Sequence, residues 1–398
     1  MPRSKLFSSV LVVLACSVAA SVCPSGRAAQ SIARVCNPVI TTPVEVVSPA
    51  RRNAAGTTVQ PPLTDGSGFL WPDTQLGVIK TDGGYLFFGS DGGFHAVQHY
   101  NGKVYGNNKS GSVTRTVGTI TNPLGSAPPI DATIYPNRAA AVNPHYDSYI
   151  YMGGGPVYQV PPGRVGAGNL LMLYHAELNT KALSYSTLNL AVSSDLGMRW
   201  SDIGEIIRFN RPYNPNDPPS LEIGDPNLTL SPHGDYFYVY FQDWLVDGTV
   251  TNLSLARAPV SNVLEAAFGG SVQRAARFMK HYQGAWEQPA IGGLSTDLAP
   301  NSPDGGGPQV AYDNALGRYV AISDVSQFMT YAESADAIHW TGTTVLNIPS
   351  PFFSAYATPV GMGDDPSILG SEFYIYYTDL PNVSWTNASL KRFTVACQ

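Results

Sequence analysis

Three acidic residues lie in similar sequence surroundings and could act together on one substrate. Asp73, Asp225 and Glu287 each come just before a short apolar stretch that leads into a strand. Carboxyl groups whose pKa values differ can divide the work of proton donor and proton acceptor, since one stays protonated while the other is ionised. The three residues are far apart in the sequence, so the fold must bring distant segments to one place.

Two carboxyl groups on either side of a sugar are the standard arrangement for glycoside hydrolysis. One of them protonates the leaving oxygen, and the other activates water or attacks the anomeric carbon. A third carboxylate can raise the pKa of the proton donor by repulsion. For each residue the alternative is a strand-end carboxylate that caps a turn. Asp91, at the end of the strand after Asp73, is a rival for the role of base.

An internal repeat indicates a fold that can bring such residues together. The repeated unit is a turn, an aromatic-rich strand and a polar or acidic residue, and it occurs at 82–91, 169–177, 234–243, 317–324 and 371–379. A following strand ends in Ser-x-Asp and a tryptophan at 188–200 and 328–340, which predicts a turn capped by the aspartate. Five such repeats predict an all-β, five-bladed β-propeller. An irregular β-sandwich is the alternative.

The composition agrees with many short strands. Charged residues make up only 13% of the 398 residues, and glycine (39) and proline (32) are abundant, which is not typical of a helical bundle or coiled coil. The hydrophobic share of 43% argues against disorder. The net charge of −6 and the lack of a basic stripe give no indication of nucleic-acid binding.

The amino-terminal segment has the pattern of a secretion signal. Arg3 and Lys5 precede a largely apolar stretch, and small residues allow cleavage after residue 28. A lipoprotein signal at Cys16 is the alternative. We expect a signal peptide at 1–28, an arm at 29–62 with a strand near Val44–Val47, a propeller at 63–398, and an extracellular or periplasmic location. No other segment is apolar for long enough to predict a transmembrane helix.

Two cysteines remain after the predicted signal peptide, and they lie near the two ends of the chain. In an oxidising compartment an even number of cysteines predicts a disulfide, here Cys36–Cys397. Such a bond would join the arm to the last repeat. We therefore expect the ring of blades to be closed by the termini.

At the level of short motifs, the chain resembles a known group of enzymes. An Asp before the first strand (Asp73), an Asp-Pro before a middle strand (Asp225) and a Glu-x-Pro (Glu287) resemble the five-bladed propeller glycoside hydrolases of family 43, the arabinanases and xylosidases. The resemblance implies that Asp73 is the base, Asp225 tunes the acid, and Glu287 is the acid. It also implies an arabinan- or xylan-like poly- or oligosaccharide as substrate.

The resemblance has further implications and some departures. We expect no cofactor, although the resemblance allows a structural calcium ion at the propeller axis, and we expect a monomer. The residue after Asp73 is Thr and the residue after Glu287 is Gln, where the family usually has Pro and Gly. The long interval between Asp73 and Asp225 predicts an insertion in the second blade at 107–167. A pairing of Asp73 with Asp91 is instead similar to retaining endo-D-arabinanases.

Other residues complete the predicted site. Trp71 and Trp286 are candidates to stack on sugars, and His175 could point to the axis, although core packing explains each of them as well. No spacing typical of a zinc site or a phosphate-binding loop is present. Two functions stay open: a secreted glycoside hydrolase, and a non-catalytic propeller that binds carbohydrate or protein.

Overall fold

The computed structural model describes most of the chain after residue 34. The described residues are 35–48, 75–89, 98–100, 103–105, 111–125, 130–135, 143, 145–179, 184–216, 223–244, 250–270, 274–298, 307–325, 328–349, 353–381 and 388–398. Within them, no helix is long and apolar enough to cross a bilayer.

The amino-terminal arm and the first two blades come first in the chain. The arm holds β1 (Pro38–Ile40) and β2 (Val44–Val47). The first blade consists of β3 (Gly77–Thr81), β4 (Gly84–Gly89), β7 (Gly111–Gly118) and β8 (Ile130–Tyr135), with a hairpin of β5 (Gln98–Tyr100) and β6 (Lys103–Tyr105) between β4 and β7. The second consists of β9 (Tyr149–Gln159), β10 (Leu170–Asn179), β11 (Ser184–Ser193) and β12 (Arg199–Ile207).

Three more sheets follow. The third blade is β13 (Ile223–Leu230), β14 (Tyr236–Trp244), β15 (Val250–Pro259), β16 (Met279–Tyr282) and β17 (Ala285–Pro289). The fourth is β18 (Gln309–Asp313), β19 (Arg318–Val325), β20 (Phe328–Ser334) and β21 (Trp340–Leu346). The fifth contains β22 (Ser354–Gly361), β24 (Glu372–Asp379) and β25 (Ser389–Cys397), while β23 (Ile368–Leu369) pairs with β18.

The described strands confirm the predicted all-β, five-bladed propeller. Within each blade consecutive strands pair in antiparallel order, and β3, β9, β13, β18 and β22 are the first strands of their blades. Parallel pairs occur between blades, where β8 pairs with β12 and β18 with β23. Successive first strands contact each other, so they are the inner strands that surround the axis. The five aromatic-rich segments become β4, β10, β14, β19 and β24, the second strand of every blade.

The predicted insertion in the second blade is wrong. Residues 107–167 contain β7 and β8 of the first blade and β9, the inner strand of the second. These strands lack the aromatic pattern of their neighbours, which is why the sequence did not reveal them. Apart from a 3-10 turn at Tyr146–Ser148, the helices of the described residues are α1 (Val260–Leu264) and a π-helical turn at Glu265–Gly269.

Aromatic side chains hold neighbouring blades together. Phe88 of the first blade packs edge-to-face on Trp200 of the second, with ring centroids 5.7 Å apart. The Tyr240 hydroxyl of the third blade donates a hydrogen bond to the Ala337 carbonyl of the fourth, at 3.0 Å. The Tyr376 hydroxyl of the fifth blade donates to a carbonyl next to the first blade, that of Ile120.

The predicted aspartate-capped turns are confirmed. The Asp195 carboxylate accepts a hydrogen bond from the Arg199 amide at 3.0 Å, and Ser193 donates to Asp195 at 2.8 Å. Asp336 accepts from the His339 amide at 2.8 Å in the corresponding turn of the fourth blade. Trp200 is buried beside the first of these turns. These aspartates therefore stabilise turns, as expected for a structural motif.

The amino-terminal arm adds strands to the last blade. Both β1 and β2 pair with β25, and the predicted strand at Val44–Val47 is confirmed. The predicted disulfide Cys36–Cys397 is present, with the two Cα atoms 4.9 Å apart. The Cys36 amide also donates to Glu333 of the fourth blade at 2.8 Å. That the termini close the ring stays a prediction.

Candidate functional site

The inner strands run in one direction, which gives the propeller two different faces. One residue from each inner strand lines a small cavity of about 40 Å³ on the axis: Val78, Val157, Leu228, Val310 and Val360. A larger cavity of about 380 Å³ is lined by residues at the ends of three inner strands, among them Lys80, Gln159 and Leu230. We call this side the end face and the opposite side, where the inner strands begin, the start face.

Three inner strands carry a β-bulge just before the level of the axial cavity. In β9, Gly155 and Pro156 oppose one residue of β10. In β13, Asp225 and Pro226 oppose one residue of β14. In β22 the register shift falls at Tyr356 and its neighbour, and Tyr356 has a φ of +59°. Bulges re-aim side chains and are over-represented next to active sites. The region around these bulges is therefore the candidate site.

Among the predicted site residues that the structure describes, Asp225 is the one that lies on an inner strand. It lies on the inner strand of the third blade, within the bulge, on the start-face side of the axial cavity. Pro226 has no amide hydrogen, so a bulge, where one ladder bond is missing, suits it. The next residue, Asn227, is fully buried.

Three predicted site residues lie outside the described residues. These are Trp71, Asp73 and Asp91, and their roles stay predictions. The described chain resumes at Gln75, which lines the axial cavity. The amide of Leu76 donates to the Thr358 hydroxyl of the fifth blade at 3.1 Å. The described chain therefore resumes beside the axis, two positions after Asp73 in the sequence.

The prediction that Glu287 opens an inner strand is wrong. Glu287 lies on β17, the last strand in the order of the third blade, and it is exposed. The motif Trp-Glu-Gln-Pro belongs to a hairpin at the edge of the sheet, where β17 pairs with β16. An edge strand is the part of a blade most distant from the axis. The structure thus separates Glu287 from Asp225 by the width of a blade.

Trp286 shares this outer position. Its ring packs against the guanidinium group of Arg257, whose carbon lies 4.1 Å from the ring centroid. His281 contacts it edge-to-face at 5.1 Å, and Tyr238 lies parallel to it at 6.3 Å. These contacts give Trp286 a packing role on the outer side of the third blade, and its stacking on a sugar stays a prediction.

His175 is a core residue of the second blade. It lies on β10, is 7% exposed, and packs edge-to-face with Tyr151 of the inner strand β9. Burial lowers the pKa of His175 to about 4. The imidazole is therefore neutral near pH 7. Its burial favours the structural interpretation over substrate binding.

The sequence analysis missed buried polar groups on the inner strands. The side-chain amides of Asn227 and Gln309 and the hydroxyl of Ser354 have no hydrogen-bond partner among the described residues. Buried polar groups in proteins are normally bonded to protein or water. Each lies on the inner strand of a different blade. The signal in the sequence was a single polar residue next to a proline or a short apolar run.

A second feature missed from the sequence is a histidine paired with a carboxylate before the inner strand of the second blade. The His145 Nδ1 atom lies 3.2 Å from Glu205 Oε2. No group of three metal-ligating side chains occurs in the described part of the chain. The structural calcium ion that the resemblance allows at the axis stays a prediction.

Comparisons with known proteins were made for the family, for curated proteins and for solved structures. No family model and no curated protein matches the chain. Similar solved structures include the catalytic domain of a GH62 alpha-L-arabinofuranosidase from Coprinopsis cinerea, at 10% identity and a TM-score of 0.46, covering 88% of this chain and 95% of that one.

Two further structures are similar at the same level. A putative exo-beta-1,3-galactanase from Bifidobacterium bifidum has 12% identity and a TM-score of 0.45, covering 85% of this chain and 94% of that one. Zg3597, a family 117 glycoside hydrolase from Zobellia galactanivorans, has 13% identity and a TM-score of 0.45, covering 80% and 82%. At these values the similarity carries no conclusion about activity, and the fold assignment rests on the strand pairing of the chain itself.

Proposed function

We propose that the protein is a secreted glycoside hydrolase that acts on an arabinan- or xylan-like glycan at the start face. The observation that carries the proposal is the bulge that places Asp225 on the inner strand of the third blade. A carboxyl group there can act with a second one from another blade, and Asp73 is the candidate, because it comes two positions before Gln75, which lines the axial cavity. Two carboxyl groups across one pocket can hydrolyse a glycosidic bond.

The proton donor of this proposal is not Glu287, because Glu287 is exposed on an outer strand. By sequence position, Asp304 replaces it as candidate, since it precedes the inner strand β18 just as Asp73 precedes β3. Asp304 lies outside the described residues. Asp73 is proposed as the base, with Asp91 as its rival, and Asp225 as the residue that tunes the donor by like-charge repulsion.

Secretion is part of the proposal. The disulfide Cys36–Cys397 supports it, since disulfides persist mainly in oxidising compartments. Titration of thiols in the denatured, unreduced mature protein should find neither cysteine free. Analysis of the mature protein's first residue would test the predicted cleavage after residue 28.

The experiment that tests the function compares five carboxyl variants on arabino- and xylo-oligosaccharides. Asp73→Asn and Asp304→Asn should each lower kcat by roughly 100- to 10,000-fold, as expected for general acid–base groups. Asp225→Asn should also lower kcat, because the proton donor loses the negative charge that raises its pKa. Glu287→Gln should leave kcat unchanged and serves as the matched control. Asp91→Asn decides between the two candidate bases. A proton-donor variant should lose less activity on an aryl glycoside with a good leaving group, because such a substrate needs little protonation.

The second candidate function is a non-catalytic propeller that binds glycan or protein. The outer position of Glu287 favours it, because the acid expected from the motif is not at the axis. Binding of an oligosaccharide without release of reducing ends by the wild-type protein would decide for this alternative.

A further inference from the structure

A compact cluster of polar side chains lies where the second blade begins and its outermost strand ends. The Glu205 carboxylate faces two partners, His145 Nδ1 at 3.2 Å and Arg208 Nε at 3.4 Å. The Glu205 side chain is 6% exposed, whereas those of His145 and Arg208 are 21% and 25% exposed. A nearly buried carboxylate thus sits beneath two groups that reach the surface.

The contacts of this cluster determine how His145 is held. The His145 amide donates to the Asn143 side chain at 3.1 Å, and Asn143 in turn is bonded to Tyr149 and Asn189. Because an ionised carboxylate only accepts hydrogen bonds, we assign the hydrogen of the imidazole to Nδ1. This leaves Nε2 as the ring nitrogen that can bond a ligand, in the way that a carboxylate orients a functional histidine.

The charges and the neighbouring rings suit a neutral, hydroxyl-rich ligand. The Arg208 guanidinium lies beside the Glu205 carboxylate and offsets its charge. The ring of Tyr213, which is partly exposed, packs edge-to-face on His145 at 6.0 Å and on Tyr185 at 5.5 Å. Aromatic rings with one polar end are typical of surfaces that are apolar on one side and wet on the other.

The position along the chain places the cluster at the start face. His145 precedes the first residue of β9, Tyr149, by four positions, so it lies on the side where this inner strand begins. The start of β13 lies beside β11, since Ser186 accepts a hydrogen bond from the Ile223 amide at 2.8 Å. The cluster therefore lies on the start-face side of the second blade, beside the beginning of the third.

We propose that His145 and Tyr213 form a binding subsite for a neutral sugar residue at the start face. In this subsite His145 Nε2 bonds a sugar hydroxyl, the Tyr213 ring contacts the sugar's C–H face, and Glu205 is a positioning residue that fixes the imidazole. The inference rests on the proposed function, because it assigns part of the same glycan-binding surface.

The test uses the full-length mature protein carrying Asp225→Asn, so that binding is measured without turnover. Arabinohexaose and xylohexaose are titrated by calorimetry and by NMR of ¹⁵N-labelled histidine side chains. We expect the His145 Nε2 signal to move on binding and His145→Phe to weaken the affinity about 3- to 10-fold, the effect of one hydrogen bond. His233→Gln, in an exposed turn after β13 at the end face, is the matched control and should leave the affinity unchanged.

Glu205→Gln tests the positioning role separately. The Nδ1-protonated tautomer of His145 should become less populated, which the ¹⁵N shifts report, while circular dichroism shows an unchanged fold. A merely structural Glu205 would leave the tautomer ratio as it is, and that result would refute the positioning role.

The outcomes for the subsite and for the enzyme are distinguishable. If the glycan binds and moves the His145 signal but the wild-type protein releases no sugar, the subsite stands and the hydrolase proposal fails. If the wild-type protein hydrolyses the glycan while the His145 signal and the His145→Phe affinity are unchanged, the subsite is refuted. If neither glycan binds, both proposals are refuted.

Discussion

Acidification should destabilise the second blade, because it forces a proton onto the buried histidine of β10. His175 is 7% exposed, its Nε2 atom has no hydrogen-bond partner among the described residues, and burial lowers its pKa to about 4. In the unfolded chain the same imidazole is exposed to water, and its pKa there is about 6.5. The unfolded state therefore binds the proton more readily than the folded state.

The sign and the size of the effect follow from this difference. Since the pKa is lower in the folded state, the stability that neutral His175 provides is complete above pH 6.5 and is lost as the pH falls from 6.5 towards 4. One pKa unit corresponds to about 1.36 kcal/mol. The free energy of unfolding should thus fall by about 2–3 kcal/mol between pH 7.5 and pH 4.5 through this one group.

The assay compares urea unfolding of the wild-type protein and His175→Gln at pH 7.5, 6.5, 5.5 and 4.5. A comparison is needed because Asp202 in the same blade acts in the opposite direction: burial raises its pKa to about 6. Its contribution is present below the usual aspartate pKa near 3.8 and is lost as the pH rises through 6. The difference between the two proteins isolates His175, and His233→Gln is the exposed-histidine control.

The expected result is a difference that shrinks as the pH falls. At pH 7.5 the wild-type protein retains the full contribution of its neutral imidazole, whereas at pH 4.5 about 2–3 kcal/mol of it is lost. A difference in unfolding free energy that is the same at all four pH values would refute the reasoning. So would an equal pH dependence in the His233→Gln comparison.

Three further predictions concern buried groups of the second and third blades. Lys280→Met should destabilise the protein by about 3–5 kcal/mol in urea unfolding, because the fully buried Asp243 carboxylate, 2.8 Å from the Lys280 ammonium, loses its counter-charge. Adding Asp243→Asn should restore much of the lost stability, and a double variant as unstable as Lys280→Met would contradict the ion-pair explanation. Gly197→Ala should lower the free energy of unfolding by about 2–4 kcal/mol, since φ is +79° and a Cβ would lie 2.3 Å from a phenylalanine ring of the first blade. Gly234→Ala, at φ +67° in open space, should lower it by only about 1 kcal/mol. Equal melting temperatures for the two variants would argue against the clash. Asn227, fully buried within a glycosylation sequon, should carry no glycan in protein secreted from a eukaryotic host, and a glycopeptide found there by mass spectrometry would show that the strand is accessible.

The strands that the sequence identified share a strong local signal. The second strand of each blade is packed on both faces, so it is rich in aromatic and branched residues, as in the run Tyr236–Trp244. The aspartate-capped turns are local as well, because their hydrogen bonds join residues two to four positions apart. The repeat of these two signals was enough to predict a five-bladed propeller.

The disulfide was predictable for a different reason. Only Cys36 and Cys397 remain after the predicted signal peptide, so the pairing required no geometric information. That β1 and β2 both pair with β25 was not predictable, because strand pairing over such a sequence distance depends on where the last blade ends in space.

The radial position of each strand was decided by the tertiary structure alone. Inner strands crowd around the axis, so they contain small residues where the aromatic pattern would lead one to expect large ones: a Cβ on Gly77 would lie 2.8 Å from the Gly155 carbonyl oxygen. Their local sequence therefore resembles that of loops, and 107–167 was interpreted as an insertion. Conversely, the apolar residues around Glu287 suit an inner strand but form an edge hairpin. The alternation of apolar and polar residues along a strand indicates which face of the strand is buried. The distance of the strand from the axis depends instead on the neighbouring blades, which lie far away in the sequence.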